Sequence, residues 1–141
     1  MNFNNMKVVY ILVLSLMGGC QETNDLEQRC DPIVIDKSLF LESQGDDFLF
    51  EKINLVGDCL EISFRYAGGC GDIITTMVDS GDIDDSLQFR RYLRFVLEDN
   101  DPCEALITKT VSYDLVGIQV AEKKEIRLDI SGWPTSIFYK Y

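Results

Sequence analysis

Histidine is absent from this 141-residue chain. Its absence removes Ser-His-Asp and Cys-His catalysis and histidine ligation of a transition metal, which are among the commonest enzyme designs. Basic side chains are scarce too: 13 Lys and Arg stand against 24 Asp and Glu, a net charge of −11. Phosphate binding is driven by cations that release counterions, so this balance argues against nucleic acid as a partner and against attachment to anionic lipid headgroups by charge alone. No apolar run approaches the roughly 20 residues that a membrane-spanning helix needs; residues 8–17 form the longest, about half that length. CxxC pairs, internal repeats and low-complexity tracts are missing as well, which argues against zinc ribbons and solenoids.

What remains is globular composition, with 46% hydrophobic and 26% charged residues, in a chain of one-domain length. Residues 1–19 carry one cation, Lys7, then the short apolar run, then Gly18-Gly19. That is the pattern of a cleaved signal peptide. A polar segment, residues 20–29, follows as a flexible tether, and residues 30–141 form the folded domain.

Within that domain the pattern is that of strands. Leu60, Ile62, Phe64 and Tyr66 alternate with Glu61, Ser63 and Arg65, a period of two with one face buried. Similar alternation recurs at Leu87, Phe89, Leu93, Phe95 and Leu97, interrupted by Arg91, and at Ala105, Ile107, Val111, Tyr113 and Leu115, with Lys109 out of place. Shorter strands are expected at residues 33–35, 48–56, 73–78, 126–130 and 137–141, and one helical turn within residues 36–47. About eight short strands between Gly- and Asp-rich turns predict an all-β, antiparallel sandwich of immunoglobulin-like type.

Four cysteines lie in the domain, and an exported protein oxidises them. Cys59 and Cys70 stand at opposite ends of one strand, roughly 20 Å apart or more, which is beyond the reach of a bridge. If successive strands run antiparallel, the chain returns at Cys103 to the edge of Cys70, while Cys30 and Cys59 share the opposite edge. The expected bridges are therefore Cys30–Cys59 and Cys70–Cys103.

Three groups of side chains offer binding chemistry. Asp79, Asp82, Asp84 and Asp85 around Ser80-Gly81 open an acidic loop whose oxygens suit calcium, without the spacing of an EF-hand. Calcium is the one cofactor for which the sequence offers ligands, and solvated acidic turns share the same pattern. Arg65, Arg90, Arg91 and Arg94 offer a cationic face for a carboxylate or anionic glycan, or pair with acids on the same sheet. Trp133, with Phe138, Tyr139 and Tyr141, offers a sugar-stacking platform or fills the core.

Leu16-Met17-Gly18-Gly19-Cys20 resembles the lipobox of bacterial lipoproteins, although Met17 departs from its commoner residues. The resemblance implies that Cys20 receives the acyl chains that hold the protein to the membrane, and two or more chains give stable anchoring. Gln21 in place of aspartate implies delivery to the outer membrane. Together with Tyr66-Ala-Gly-Gly-Cys70 and Asp101-Pro-Cys103-Glu-Ala, the lipobox resembles small lipoproteins of Bacteroidota-type bacteria that have no assigned function. In those proteins a histidine often follows Gly-Gly-Cys; here Gly71-Asp72-Ile73 stands there, so no metal role carries over.

These readings converge on a lipid-anchored protein of the cell envelope that acts as a non-catalytic binding or interaction module for a protein or glycan. The alternative is a structural or accessory subunit of an envelope complex. A hydrolase built on two carboxylates comes third, because nothing in the spacing brings two of them together. No catalytic residue is assigned.

Overall fold

The computed structural model describes residues 29–141 apart from Leu87 and Asp101; the signal segment, Cys20 and the tether to residue 28 lie outside the described residues, as does Leu87. Cys59–Gly68 forms the strand the sequence marked most clearly, and Leu60, Ile62, Phe64 and Tyr66 are buried along its inner face. It is β4, and it follows β3 (Leu49–Val56) through a two-residue turn at Gly57-Asp58. Gly57 adopts φ +59°, a left-handed value that a side chain would resist.

Nine strands appear among the described residues. The first sheet runs β1-β7-β4-β3, where β1 is Asp31–Pro32 and β7 is Ala105–Asp114. The second runs β2-β5-β6-β8-β9, comprising Val34–Ile35, Ile73–Asp84, Arg90–Asp99, Glu125–Ile130 and Ile137–Lys140. A short helix, α1 (Lys37–Glu42), supplies the expected helical turn, with the Asp36 carboxylate capping it by accepting from Leu39 N–H at 2.8 Å.

The sheets are mixed rather than antiparallel throughout, which corrects one expectation. β1 pairs with β7, β2 with β5 and β6 with β8 in parallel. The physical reason lies in the route of the chain. Between β6 and β8 it crosses to the first sheet, forms β7 and crosses back, so that two reversals return it in its original direction. An all-antiparallel meander would need sequential strands to stay neighbours.

Inner faces meet through aromatic side chains. Phe64 and Phe95 lie 4.8 Å apart between centroids, and Phe48 approaches Phe95 edge-on at 5.0 Å. Each such pair adds roughly 0.5–1.5 kcal/mol beyond area burial. Met77, Leu93, Leu97, Leu128 and Tyr139 are among the second sheet's other contributions to the core.

The two bridges are Cys30–Cys59 and Cys70–Cys103, with Cα separations of 6.1 and 5.7 Å. Both act on the first sheet and at opposite ends of it. Cys59 opens β4 opposite Asp114, whereas Gly68 closes it opposite Ala105 beside the second bridge. β4 is thus an interior strand stapled at both poles, and β4 spans roughly 30 Å from one to the other.

Candidate functional site

The acidic loop expected after Ser80 is instead a continuation of β5, which runs on to Asp84 through an irregularity between Asp79 and Ile83. Gly81, at φ +77°, allows the chain to bulge there. Just ahead of the bulge Asp79 follows Met77 onto the inner face and is fully buried, where it meets Arg91 Nη1 at 3.2 Å and accepts from Gly81 N–H at 2.7 Å. Burial pushes the Asp79 carboxyl above the ordinary aspartate range, against the opposing pull of Gly81 N–H and Arg91. Arg91, which interrupted the apolar pattern of β6, is therefore the partner of a buried acid.

The other acids face elsewhere. Asp82 pairs with Lys37 at 2.9 Å, and Asp84 lies 3.5 Å from the Tyr92 hydroxyl. Hydrogen bonding from Ser86 holds the Asp84 carboxyl below its usual value. Asp85 is exposed. The four candidate calcium ligands are thus spread over two sides of the strand, and among the described residues no three His, Cys, Asp or Glu side chains form a metal-ligand group.

The arginines are also dispersed. Arg65 lies on the first sheet and pairs with Glu51. Arg90 and Arg94 lie on the second, the former 3.2 Å from Asp129 and the latter 4.9 Å above the Phe40 ring, donating to the Ser43 carbonyl at 3.2 Å. Trp133 is half-buried and meets Phe50 edge-on at 5.9 Å. Tyr139 is buried and Tyr141 half-buried, while Phe138 is exposed, so these rings do not make one platform.

The structure brings together a different set at the pole of Cys70–Cys103. Leu49 opens β3 and Leu106 lies near the start of β7, 68% and 67% exposed. Leu49 pairs with Arg65 and Leu106 with Ala67, so β4 runs between the two leucines on the outer face of the sheet. A groove of about 340 Å³ lies there, lined by Leu49, Arg65, Ala67 and Leu106. A second, of about 410 Å³, opens on the other side of Leu49 against Phe50, Trp133 and Pro134. The sequence carried a signal for both: Phe48-Leu49-Phe50 and Leu106-Ile107 place consecutive apolar residues in strands, where alternation sends one outward.

No protein-family model and no curated protein sequence matches the chain. Three solved structures resemble its fold. One is a protein of unknown function, DUF1344, from Bacteroides vulgatus, at 15% identity and a TM-score of 0.54, covering 79% of this chain and 57% of that one. Another is a putative toxin related protein from Parabacteroides distasonis, at 14% identity and a TM-score of 0.54, covering 79% and 61%. The third is a NigD-like immunity protein from Bacteroides caccae, at 14% identity and a TM-score of 0.55, covering 78% and 58%. At these identities the likeness is one of fold. The chain spans about three fifths of the length of these proteins.

Proposed function

We propose that the chain is a lipid-anchored, outer-membrane protein of the cell envelope whose domain binds another protein without catalysing a reaction. The observation that carries this reading is the apolar surface at the Cys70–Cys103 pole, where Leu49 and Leu106 stand about two-thirds exposed beside two grooves. Exposed apolar surface rimmed by charge, here Asp47 and the Arg65–Glu51 pair, is a mark of interaction sites. Two disulfides make the frame rigid, which lowers the entropy lost on docking.

Further support comes from the lipobox-like segment ending at Cys20, from the lack of histidine, and from fold neighbours that include a NigD-like immunity protein. We read the two sheets as a variant of the immunoglobulin-like sandwich, in which β1 and β2 divide one N-terminal segment between them. Cys30, where the tether enters, lies at the opposite pole from the grooves.

The test has two arms in the native bacterium. Radiolabelled palmitate should enter the wild type and not a Cys20→Ala variant; label in both would overturn the anchor. A photo-crosslinker at position 49 should capture one discrete protein, and Leu49→Asp with Leu106→Asp should abolish crosslinking from a reporter at position 67. Capture unaffected by both aspartates would overturn the binding surface, and recovery of a stoichiometric complex would identify an accessory subunit.

A further inference from the structure

Over most of its length β7 is an edge strand. β1 pairs with it at Tyr113 and Asp114, so residues 105–112 have β4 on one side and no strand on the other among the described residues. All ten residues of β7 pair with β4 without a register shift. An open edge of this length directs the main-chain groups of alternate residues outward, about four donors and four acceptors.

Among the other strands at a sheet margin, β3 is bulged between Phe50 and Lys52 and carries Glu51 at the bulge, and β9 has four residues and β2 two. β5 also has no strand on its β2 side at residues 73–77 among the described residues, a stretch shorter than that of β7 and one without a cation. The first disulfide turns the chain out of the β1 register at Cys30. In the register of β1, Cys30 would fall opposite Ser112, and a strand two places away in a sheet lies about 9.6 Å off. Cys30 is 6.1 Å from Cys59, so the bridge draws the chain off the ladder just ahead of Asp31.

Chemistry along the edge narrows the occupant. Lys109 stands at its centre, exposed, on the face of Ile107 and Val111, and makes no ion pair among the described residues, while the neutral Thr108, Thr110 and Ser112 lie on the other face with Leu106. Antiparallel pairing of two copies about this stretch would bring their Lys109 side chains opposite or nearly so, between molecules that each carry a net charge of −11. A second copy is disfavoured, and a strand that offers a carboxylate is favoured. Repulsion from the distant acids is screened beyond roughly 8 Å at physiological ionic strength, so the local lysine decides. Leu106, at the start of the same edge, opens onto the groove beside Ala67.

We infer that residues 105–112 of β7 accept an extended strand from a partner protein by β-augmentation, with a carboxylate of that strand facing Lys109 and an apolar side chain entering the groove beside Leu106. The inference rests on the protein-binding reading above and assigns its mode.

The probe is an end-blocked synthetic peptide, TVTETVLV, compared with TVTKTVLV, in which a glutamate opposite Lys109 in antiparallel register sets the leucine opposite Leu106 on the other face, added to the oxidised full chain. The glutamate peptide is expected to slow amide exchange within residues 105–112 and to bind at least about tenfold tighter than the lysine peptide, the fold-change of one lost charge-assisted contact. Lys109→Glu should reverse that preference with an unchanged melting temperature. Lys109→Ala should abolish the preference and keep the protection. Absence of slowed exchange at millimolar peptide, protection on β3, β5 or β9 instead, or indifference to the Glu-to-Lys swap would each overturn the inference. Envelope crosslinking undiminished by Lys109→Glu would remove this docking mode and leave the protein-binding reading in place. Peptide pairing in a protein that captures nothing in the envelope would do the reverse.

Discussion

The hydroxyl of Tyr139 donates to the Asp58 carboxylate at 2.6 Å and joins the last strand of the second sheet to the β3–β4 turn of the first, 81 residues away. The same oxygen accepts from Gln119 Nε2 at 2.7 Å, and the Asp58 carbonyl accepts from Leu115 N–H at 2.9 Å. One turn thus fastens both sheets at the Cys30–Cys59 pole. Tyr139→Phe keeps the ring and deletes the hydroxyl. It should cost about 1.5–3 kcal/mol in urea unfolding, the range for a hydrogen bond to a charged group; a loss below a few tenths would mean that the sheets are held without it.

Alkaline pH should weaken the fold through the same residue. Burial, followed by the hydrogen bond to Asp58, pushes the Tyr139 phenol up to about 12, and burial does the same to Tyr113. Both start from an unfolded value of 10.0. Between those values the unfolded chain has released protons that the folded one retains. Stability is therefore full below pH 10 and declines toward pH 12. Tyr139→Phe should remove one of the two contributions; chemical denaturation across that range would show an unchanged slope if Tyr139 played no part.

Asp79 and Arg91 form the one buried ion pair among the described residues, and breaking it differs from replacing it. Burial outweighs the opposing contacts on Asp79, so its folded pKa lies above the unfolded one, and this group's contribution falls as pH rises through that interval. The pair consequently specifies the bulge of β5 more than it stabilises the domain. Asp79→Asn should destabilise by roughly 3–5 kcal/mol by leaving a buried cation, whereas Asp79→Leu with Arg91→Met should regain most of that loss. A double variant no more stable than either single one would refute the argument.

The disulfides should contribute unequally to different properties. Each closes a long stretch, with separations of 29 and 33 residues, and each should contribute about 2–4 kcal/mol. Cys30→Ser with Cys59→Ser frees the chain ahead of β1, whereas Cys70→Ser with Cys103→Ser loosens the pole that holds the grooves. Thermal melts should show both losses. Binding at Leu49 and Leu106 should weaken only with the second pair, and equal weakening with the first would place the recognition surface elsewhere.

Much of this architecture was legible from residue order. Alternation at Leu60, Ile62, Phe64 and Tyr66 identified β4 because a half-buried strand imposes a period of two, and extended-chain length ruled out a Cys59–Cys70 bridge. Strand direction was not legible, since β6 and β8 become parallel neighbours only through a crossing to the other sheet that leaves no local mark. The directions of the acidic side chains after Met77 were not legible for a related reason. Asp79 follows Met77 onto the inner face by alternation, whereas beyond it β5 advances four residues while β6 advances two, a shift that leaves Asp82 exposed and has no local mark in the sequence. Arg91 and Lys109 looked like interruptions of the pattern, yet one is a buried partner and the other stands on an open edge.

Gly45 holds the groove surface to the second sheet. A Cβ at this position would lie 2.8 Å from the Leu97 carbonyl oxygen and 2.9 Å from its nitrogen, closer than side-chain carbons come to main chain. Without one, the segment after α1 lies against β6: Asp46 N–H donates to the Leu97 carbonyl at 2.7 Å, and the Asp46 carboxylate accepts from Asp99 N–H at 2.6 Å. Three residues past Gly45 comes Phe48, whose ring packs on Phe95 and whose side chain borders both grooves. Gly45→Ala must therefore displace main chain rather than a rotamer, at a cost of about 1–3 kcal/mol. Its distinctive effect should be faster amide exchange at Asp99 together with weaker binding at Leu49, since lifting the segment carries Phe48 with it. If Asp99 exchange is unchanged while the melting temperature falls, the strain has been absorbed in β6, and the grooves do not depend on this contact.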